Sequence, residues 1–177
     1  LDMTRQIADV SFDGAAADLV VEAAAGGAAV RDALLAGAAL LASEQVGIAQ
    51  WCLDATVAYL KERRQFGRVV GGFQALKHRL ADLYTEVEQA RAAARYAAAT
   101  LAEGDPDAEV AACVAQSYCS DVAVRAAEEC IQLHGGIGMT WEHPAHLYLK
   151  RAKADQLALG SPEEHRVHLA ELVDLPA

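Results

Sequence analysis

Aromatic side chains are scarce in this 177-residue chain: Phe, Tyr and Trp make up 6% of it, although 54% is hydrophobic. The surplus is alanine, which favours close-packed helices and gives a sheet-rich core little to build with. Proline is rarer still, four in all, and none interrupts residues 28 to 65. Basic residues are in the minority, 15 Lys and Arg against 25 Asp and Glu, for a net charge of −10. That balance disfavours nonspecific contact with nucleic acid or anionic membranes, since both are polyanions, but leaves room for a local basic site. CxxC spacing is absent. Cys52, Cys113, Cys119 and Cys130 sit inside helical patterns and are expected to be small buried hydrophobes, without disulfides, in a reducing compartment. No apolar run reaches the ~20 residues of a membrane span, and no basic segment precedes an apolar one at the start. A cytoplasmic protein without a membrane span is expected.

The length suffices for one main core, burying roughly 70% of the unfolded surface. Residues 1 to 14 alternate loosely through Ile7, Val10 and Phe12 and close on Asp13-Gly14, a turn signal, which predicts one or two strands. Because an isolated strand pair is marginal, residues 1–27 read as the end of a β-domain whose other strands lie outside the chain, followed by a linker. Residues 28–177 read as a helical domain. Leu41, Ile48, Cys52, Ala55 and Tyr59 share one face of a first helix, which runs to about Gln65. In the second, the positions Phe73, Leu76, Leu80, Leu83, Val87, Ala90, Ala94, Ala97 and Leu101 recur at steps of three and four, the seam of an antiparallel bundle helix. Gly104-Asp105-Pro106 closes it and opens a third with Asp as N-cap, carrying Val114, Tyr118, Val122, Ala126, Cys130 and Leu133 on one side. A fourth runs from about Pro144 to Leu159. Ser161-Pro162-Glu163-Glu164 is a capping box for a short last helix. The expected fold is all-α: an up-and-down four-helix bundle with a short extra C-terminal helix and a β-strand remnant at the N-terminus.

Two stretches carry chemistry. Gln132-Leu133-His134-Gly135-Gly136-Ile137-Gly138 places three glycines in four positions; this terminates a helix, and it also lets backbone approach a ligand and turn N–H groups toward an anion. Glu62-Arg63-Arg64-Gln65-Phe66-Gly67-Arg68 puts three arginines at a helix C-terminus. Cations there are favourable by a few tenths to about 1 kcal/mol, which explains one or two of them. A guanidinium cluster beside an aromatic and a glycine break also suits a diphosphate, which Arg binds through paired N–H donors.

Tyr59-Leu60-Lys61-Glu62-Arg63-Arg64-Gln65-Phe66-Gly67, then Phe73-Gln74-Ala75 and Ala81-Asp82, then the glycine stretch, resemble the C-terminal helical domain of the acyl-CoA dehydrogenases over nearly the whole chain. Leu1 to Gly14 looks like the end of that family's middle β-domain. The resemblance implies FAD as cofactor, with Arg63, Phe66, Gln74, Gln132, Gly135 and Gly136 reaching a flavin bound mainly by a neighbouring subunit. It implies an acyl-CoA substrate, a homo- or hetero-oligomer, and an electron-transfer flavoprotein as acceptor. The family's reaction removes the α-proton of an acyl thioester with a glutamate while the β-hydrogen leaves as hydride to the flavin.

The glutamate is where this sequence departs from the family. One base position falls on Gly37 and the other on Leu159, and neither side chain accepts a proton. Glu163 and Glu164 are accounted for by the capping box. No catalytic residue is therefore assigned, and the expectation is a subunit that is inactive alone and works with an unlike partner. The alternatives are a catalytic homo-oligomer with another base and a helical interaction module that binds no flavin. His143 with His146 and His165 with His168 lack carboxylate or cysteine partners at helical offsets, so surface histidines are expected and no metal site. His134 reads as a histidine interacting with a helix C-terminus. Lys150-Arg151 stands where the family has an Arg-Asp pair, so the arginine's usual partner is altered.

Overall fold

A computed structural model describes residues 2–175. Helix α1 spans Ala23–Glu62, followed by a hairpin of β1 (Arg64–Gln65) and β2 (Arg68–Val69), a 3-10 turn at Val70–Gly72, and α2 (Gln74–Glu103). Then come α3 (Ala108–His134), a second 3-10 turn (Gly135–Met139), α4 (Ala145–Leu157) and α5 (Pro162–Leu172). The expected bundle and extra C-terminal helix are present. α3 packs against all four other helices, and the core between them is built of small side chains, among them Ala42, Ala49, Ala90, Ala97, Ala123 and Ala126. Alanine lets backbones approach closely, so three helices of 27 to 40 residues pack with few aromatics. By length and composition alone α1 could cross a membrane, and the sequence reading did not register this. Only 17% of the 18-residue stretch that passes this test is buried; core is supplied by the later residues, from Ala38 to Leu60.

The helix ends follow local chemistry. Gly104 adopts φ 65° and its N–H bonds Leu101 and Thr100 carbonyls, a left-handed C-cap. Asp105 does not N-cap α3: its carboxylate accepts from the Asp107 N–H at 2.8 Å, and the helix opens only at Ala108. The capping box forms, with Glu164 N–H donating to Ser161 Oγ at 3.2 Å and Ser161 N–H to Glu164 Oε2 at 2.7 Å. Along the α2 seam, Leu83, Val87, Ala90, Ala94 and Ala97 are buried, whereas Phe73, Leu76 and Leu80 are half-buried. All four cysteines are buried and free; burial pushes the Cys113 thiol up to about 11 and Cys119 to about 12, so both stay protonated and unreactive.

The N-terminal strands expected through Ile7, Val10 and Phe12 do not form: residues 2 to 22 contain no strand, and these side chains are exposed. A strand needs a partner edge, and the described residues provide none there. Charge holds the segment instead. Arg5 bonds Asp155 at 2.9 Å and also pairs with Glu44, while Arg151 pairs with Asp2 at 2.6 Å and Glu44 at 2.7 Å. Asp2 and Glu44 are thus the partners that replace the aspartate the sequence lacks beside this arginine.

Candidate functional site

The hairpin and the end of α3 converge on one cleft of about 360 Å³, lined by Tyr59, Arg63, Phe66, Arg79, Gln132, Gly135 and Gly136 among others. Five of the six expected cofactor residues line it together. Gln74, exposed at the first position of α2, is not in the lining. The hairpin that carries Phe66 was not read from the sequence. Arg64 pairs with Val69 and Gln65 with Arg68, leaving Phe66 (φ 53°) and Gly67 (φ 74°) as a two-residue turn. Both residues being left-handed is the geometry that matches strand twist. A non-glycine residue there is uncommon, and it presents the Phe66 ring 89% exposed.

The three arginines differ in what they already hold. Arg68 donates to the Gly72 carbonyl and lies 4.4 Å from the Phe73 ring centroid. Arg63 caps α1 with its backbone N–H to Tyr59 O at 2.9 Å, and its guanidinium makes no hydrogen bond or ion pair among the described residues. Arg79, which the sequence reading did not single out, lines the cleft while gripping Glu129 through two bonds of 2.7 and 3.0 Å. An i-to-partner spacing across two helices gives no local signal, so only packing reveals it.

The glycines serve separate needs. Gly135 sits at φ 64°, ψ −139°, open in practice to glycine. A Cβ on Gly135 or Gly136 would meet nothing within 4 Å, so the backbone here faces open space. A Cβ on Gly138 would lie 2.5 Å from the Ile131 carbonyl oxygen; this glycine is required for the chain to fold back on α3.

His134 is 4% exposed and lines the same cleft. Its Nδ1 is 2.7 Å from the Cys130 carbonyl, a bond to the last helical turn as expected. Its ring also lies 4.4 Å from Tyr59, near parallel, and 4.2 Å from His143. His143 and His146 are therefore not simple surface residues. Both are half-buried, one beside His134 and the other against Trp141, and burial, then His134 and His146, pushes the His143 pKa down. His165 approaches the Leu159 carbonyl at 2.9 Å. His168 faces Glu109 at 2.8 Å and Glu171 at 3.5 Å, and the Glu109 bond holds its pKa up. Among the described residues no three metal-ligating side chains cluster.

The two positions where a base was sought meet in space. A Cβ on Gly37 would lie 2.8 Å from Leu159 Cδ1, so the leucine fills the room the glycine leaves. Leu159 itself is at φ 59° and is followed by Gly160 at φ 101°. Glu164 is occupied by the capping box, whose backbone bond holds its pKa down, and Glu163 is exposed beside Arg166 at 3.7 Å.

Residues 24–173 match the family described as acyl-CoA dehydrogenase, C-terminal domain. The acyl-CoA dehydrogenase IpdE2 of Mycolicibacterium smegmatis is 43% identical over 164 residues, covering 93% of this chain and 48% of that protein. The ChsE4-ChsE5 complex from Mycobacterium tuberculosis superposes with a TM-score of 0.75 at 31% identity, over 81% of this chain and 39% of that one. A structure of PigA with FAD and proline superposes at 0.81 with 28% identity, over 85% and 39%. The chain thus spans about half the length of its curated relative. With the helical bundle, the paired motifs and this likeness in agreement, the chain belongs to the acyl-CoA dehydrogenase family and carries its C-terminal helical domain.

Proposed function

We propose that this chain is the end of a β-domain and a linker, read from the sequence as residues 1–27 although α1 already begins at Ala23, followed by the C-terminal helical domain of a cytoplasmic FAD-dependent acyl-CoA dehydrogenase, in a subunit that lacks the base. The observation that carries the reading is the contact between Leu159 and Gly37, which puts apolar carbon at both positions where a glutamate would stand.

The cleft residues fit a dinucleotide. Open backbone at Gly135 and Gly136, an unpaired Arg63 guanidinium and an exposed Phe66 ring offer a close approach, a diphosphate partner and a flat apolar surface. Gln132 adds amide donors and acceptors, and Gln74, at the start of α2 and outside the cleft lining, would add a further amide. When bound, FAD supplies the two-electron acceptor for dehydrogenation of an acyl thioester. This chain's residues bind and orient it; they do not move the α-proton. General-base catalysis contributes about 10²- to 10⁴-fold in rate, and Gly37 and Leu159 contribute none of it.

The proton acceptor then comes from an unlike subunit, a reading supported by the likeness to the ChsE4-ChsE5 complex; an electron-transfer flavoprotein takes the electrons onward. A homo-oligomer with a non-standard base is the second reading. It is weakened because Glu164 is held by Ser161 and His168 has carboxylates at both ring nitrogens. The test is dehydrogenation of acyl-CoA by the full-length protein, alone and co-purified with candidate partner subunits. Inactivity alone and activity in a mixed complex are expected. Efficient turnover by the pure homo-oligomer with Glu163→Gln and Glu164→Gln would overturn the unlike-subunit reading.

A further inference from the structure

We infer that α5 is a pH-sensitive cover: His168, gripped by Glu109 of α3 at one ring nitrogen and by Glu171 at the other, latches the helix beside Leu159 and releases it as pH rises. The inference stands apart from the flavin reading and concerns the other end of the molecule.

α5 packs against α3, yet Pro162 is the one buried residue it offers among the described residues. Little apolar surface anchors it, so side-chain bonds carry much of its docking and it belongs to the least stable part of the fold. Those bonds are His168 Nε2 to Glu109 at 2.8 Å, Arg166 to Asp121, and His165 Nε2 to the Leu159 carbonyl at 2.9 Å. Arginine stays charged, and the carbonyl needs only one N–H, which a neutral imidazole still supplies. His168 is different. An ionised carboxylate only accepts, so Glu109 on Nε2 and Glu171 at 3.5 Å on Nδ1 are both satisfied only when both nitrogens carry protons. Loss of one proton removes the charge and turns a lone pair toward a carboxylate. The other groups around the ring, Arg31 of α1, Cys113 of α3 and Glu164 and His165 of α5, line the same cavities, and burial keeps the Cys113 thiol protonated. The Glu109 bond, opposed by burial and aided by Glu171, holds the His168 pKa up. The latch is therefore complete below the ordinary histidine value of about 6.5 and weakens as pH climbs through the raised value. α5 forms a wall of two cavities of about 430 and 220 Å³ that it shares with Leu34 and Leu159, so its release opens room beside Gly37.

The test is amide hydrogen exchange of the full-length protein from pH 6 to 8.5, corrected for the intrinsic pH dependence of exchange, with α2 as the internal control. Opening of α5 should rise about two- to fivefold over that range, the scale of one exposed ion pair, while α2 keeps its protection. High salt should flatten the rise by screening the pair. His168→Gln keeps a donor for Glu109 but cannot charge; its α5 should exchange at every pH as the parent does at high pH. Protection of α5 that is independent of pH in the parent overturns the inference without recourse to any variant. So does a pH-dependent rise that survives in His168→Gln with α2 still protected.

Discussion

Gly37 lies in α1 and Arg63 caps its C-terminal end, roughly 40 Å away along the axis, and their surroundings differ in kind. Around Arg63 and Gly136 some groups stay open, with space over the glycines, a guanidinium that makes no bond among the described residues and an exposed Phe66, although the Arg63 backbone and Arg79 are bonded within the fold. Around Gly37 several groups are used internally, beside cavities of about 430 and 220 Å³ that Leu34, Leu159, His165 and His168 line. Leu159 fills the glycine's space, His165 takes its carbonyl, and His168 pairs with Glu109. The first region offers open backbone and a polar group to a ligand, whereas the second presents apolar carbon and side chains already paired.

Both regions hang on the same core, so Leu83→Ala is the control with the largest effect. Leu83 is buried, and its truncation should cost about 2–5 kcal/mol of unfolding free energy; half-buried Leu80 should cost less. Denaturant unfolding of both variants checks this, and equal losses would mean that the seam is uniformly buried. Away from both regions, Asp155 ties α4 to the N-terminal segment through Arg5, and burial pushes its carboxyl up to about 6, with Glu44 adding and Arg5 opposing. An unfolded Asp titrates near 3.9, so the folded chain holds this proton more tightly. Stability from this group is therefore greatest below about pH 4 and declines as pH rises to about 6, by on the order of 3 kcal/mol, then stays level. Asp155→Asn should remove that decline; a stability difference between the two proteins that is constant from pH 4 to 7 would show the carboxylate ionised throughout.

At the open region, Arg63→Ala should weaken flavin binding by about 1.5–3 kcal/mol through loss of a charge-assisted donor, measured as flavin retained after dialysis. Full retention would remove Arg63 from the cofactor site. The glycines give the finest contrast. Gly138→Ala meets the Ile131 backbone and should lower stability by about 1–3 kcal/mol, as overpacking does. Gly136→Ala meets nothing and should leave the melting curve within about 0.5 kcal/mol of the parent, yet weaken FAD binding by keeping the ligand off the backbone. A Gly136→Ala protein with normal flavin affinity would show that the open space is not used.

What the sequence determined by itself is what depends on near neighbours along the chain. The three- and four-residue steps from Leu83 to Ala97, the Gly104 cap and the Ser161 capping box are each complete within a turn or two of helix, so pattern alone locates them. Motif likeness also named six expected cofactor residues, five of which line one cleft. What only the tertiary structure decided depends on partners far away in sequence. The strand pattern through Ile7, Val10 and Phe12 stays irregular because no edge is there to complete it. The grip of Glu129 on Arg79, the Asp2 and Glu44 pairing of Arg151, and the ring contacts of His134 join separate helices or the N-terminal segment to one. Gly37 and Leu159 were each legible as a missing base, but their contact was not: a glycine leaves a hole whose filler is chosen by packing between helices, and nothing local to either residue names the other.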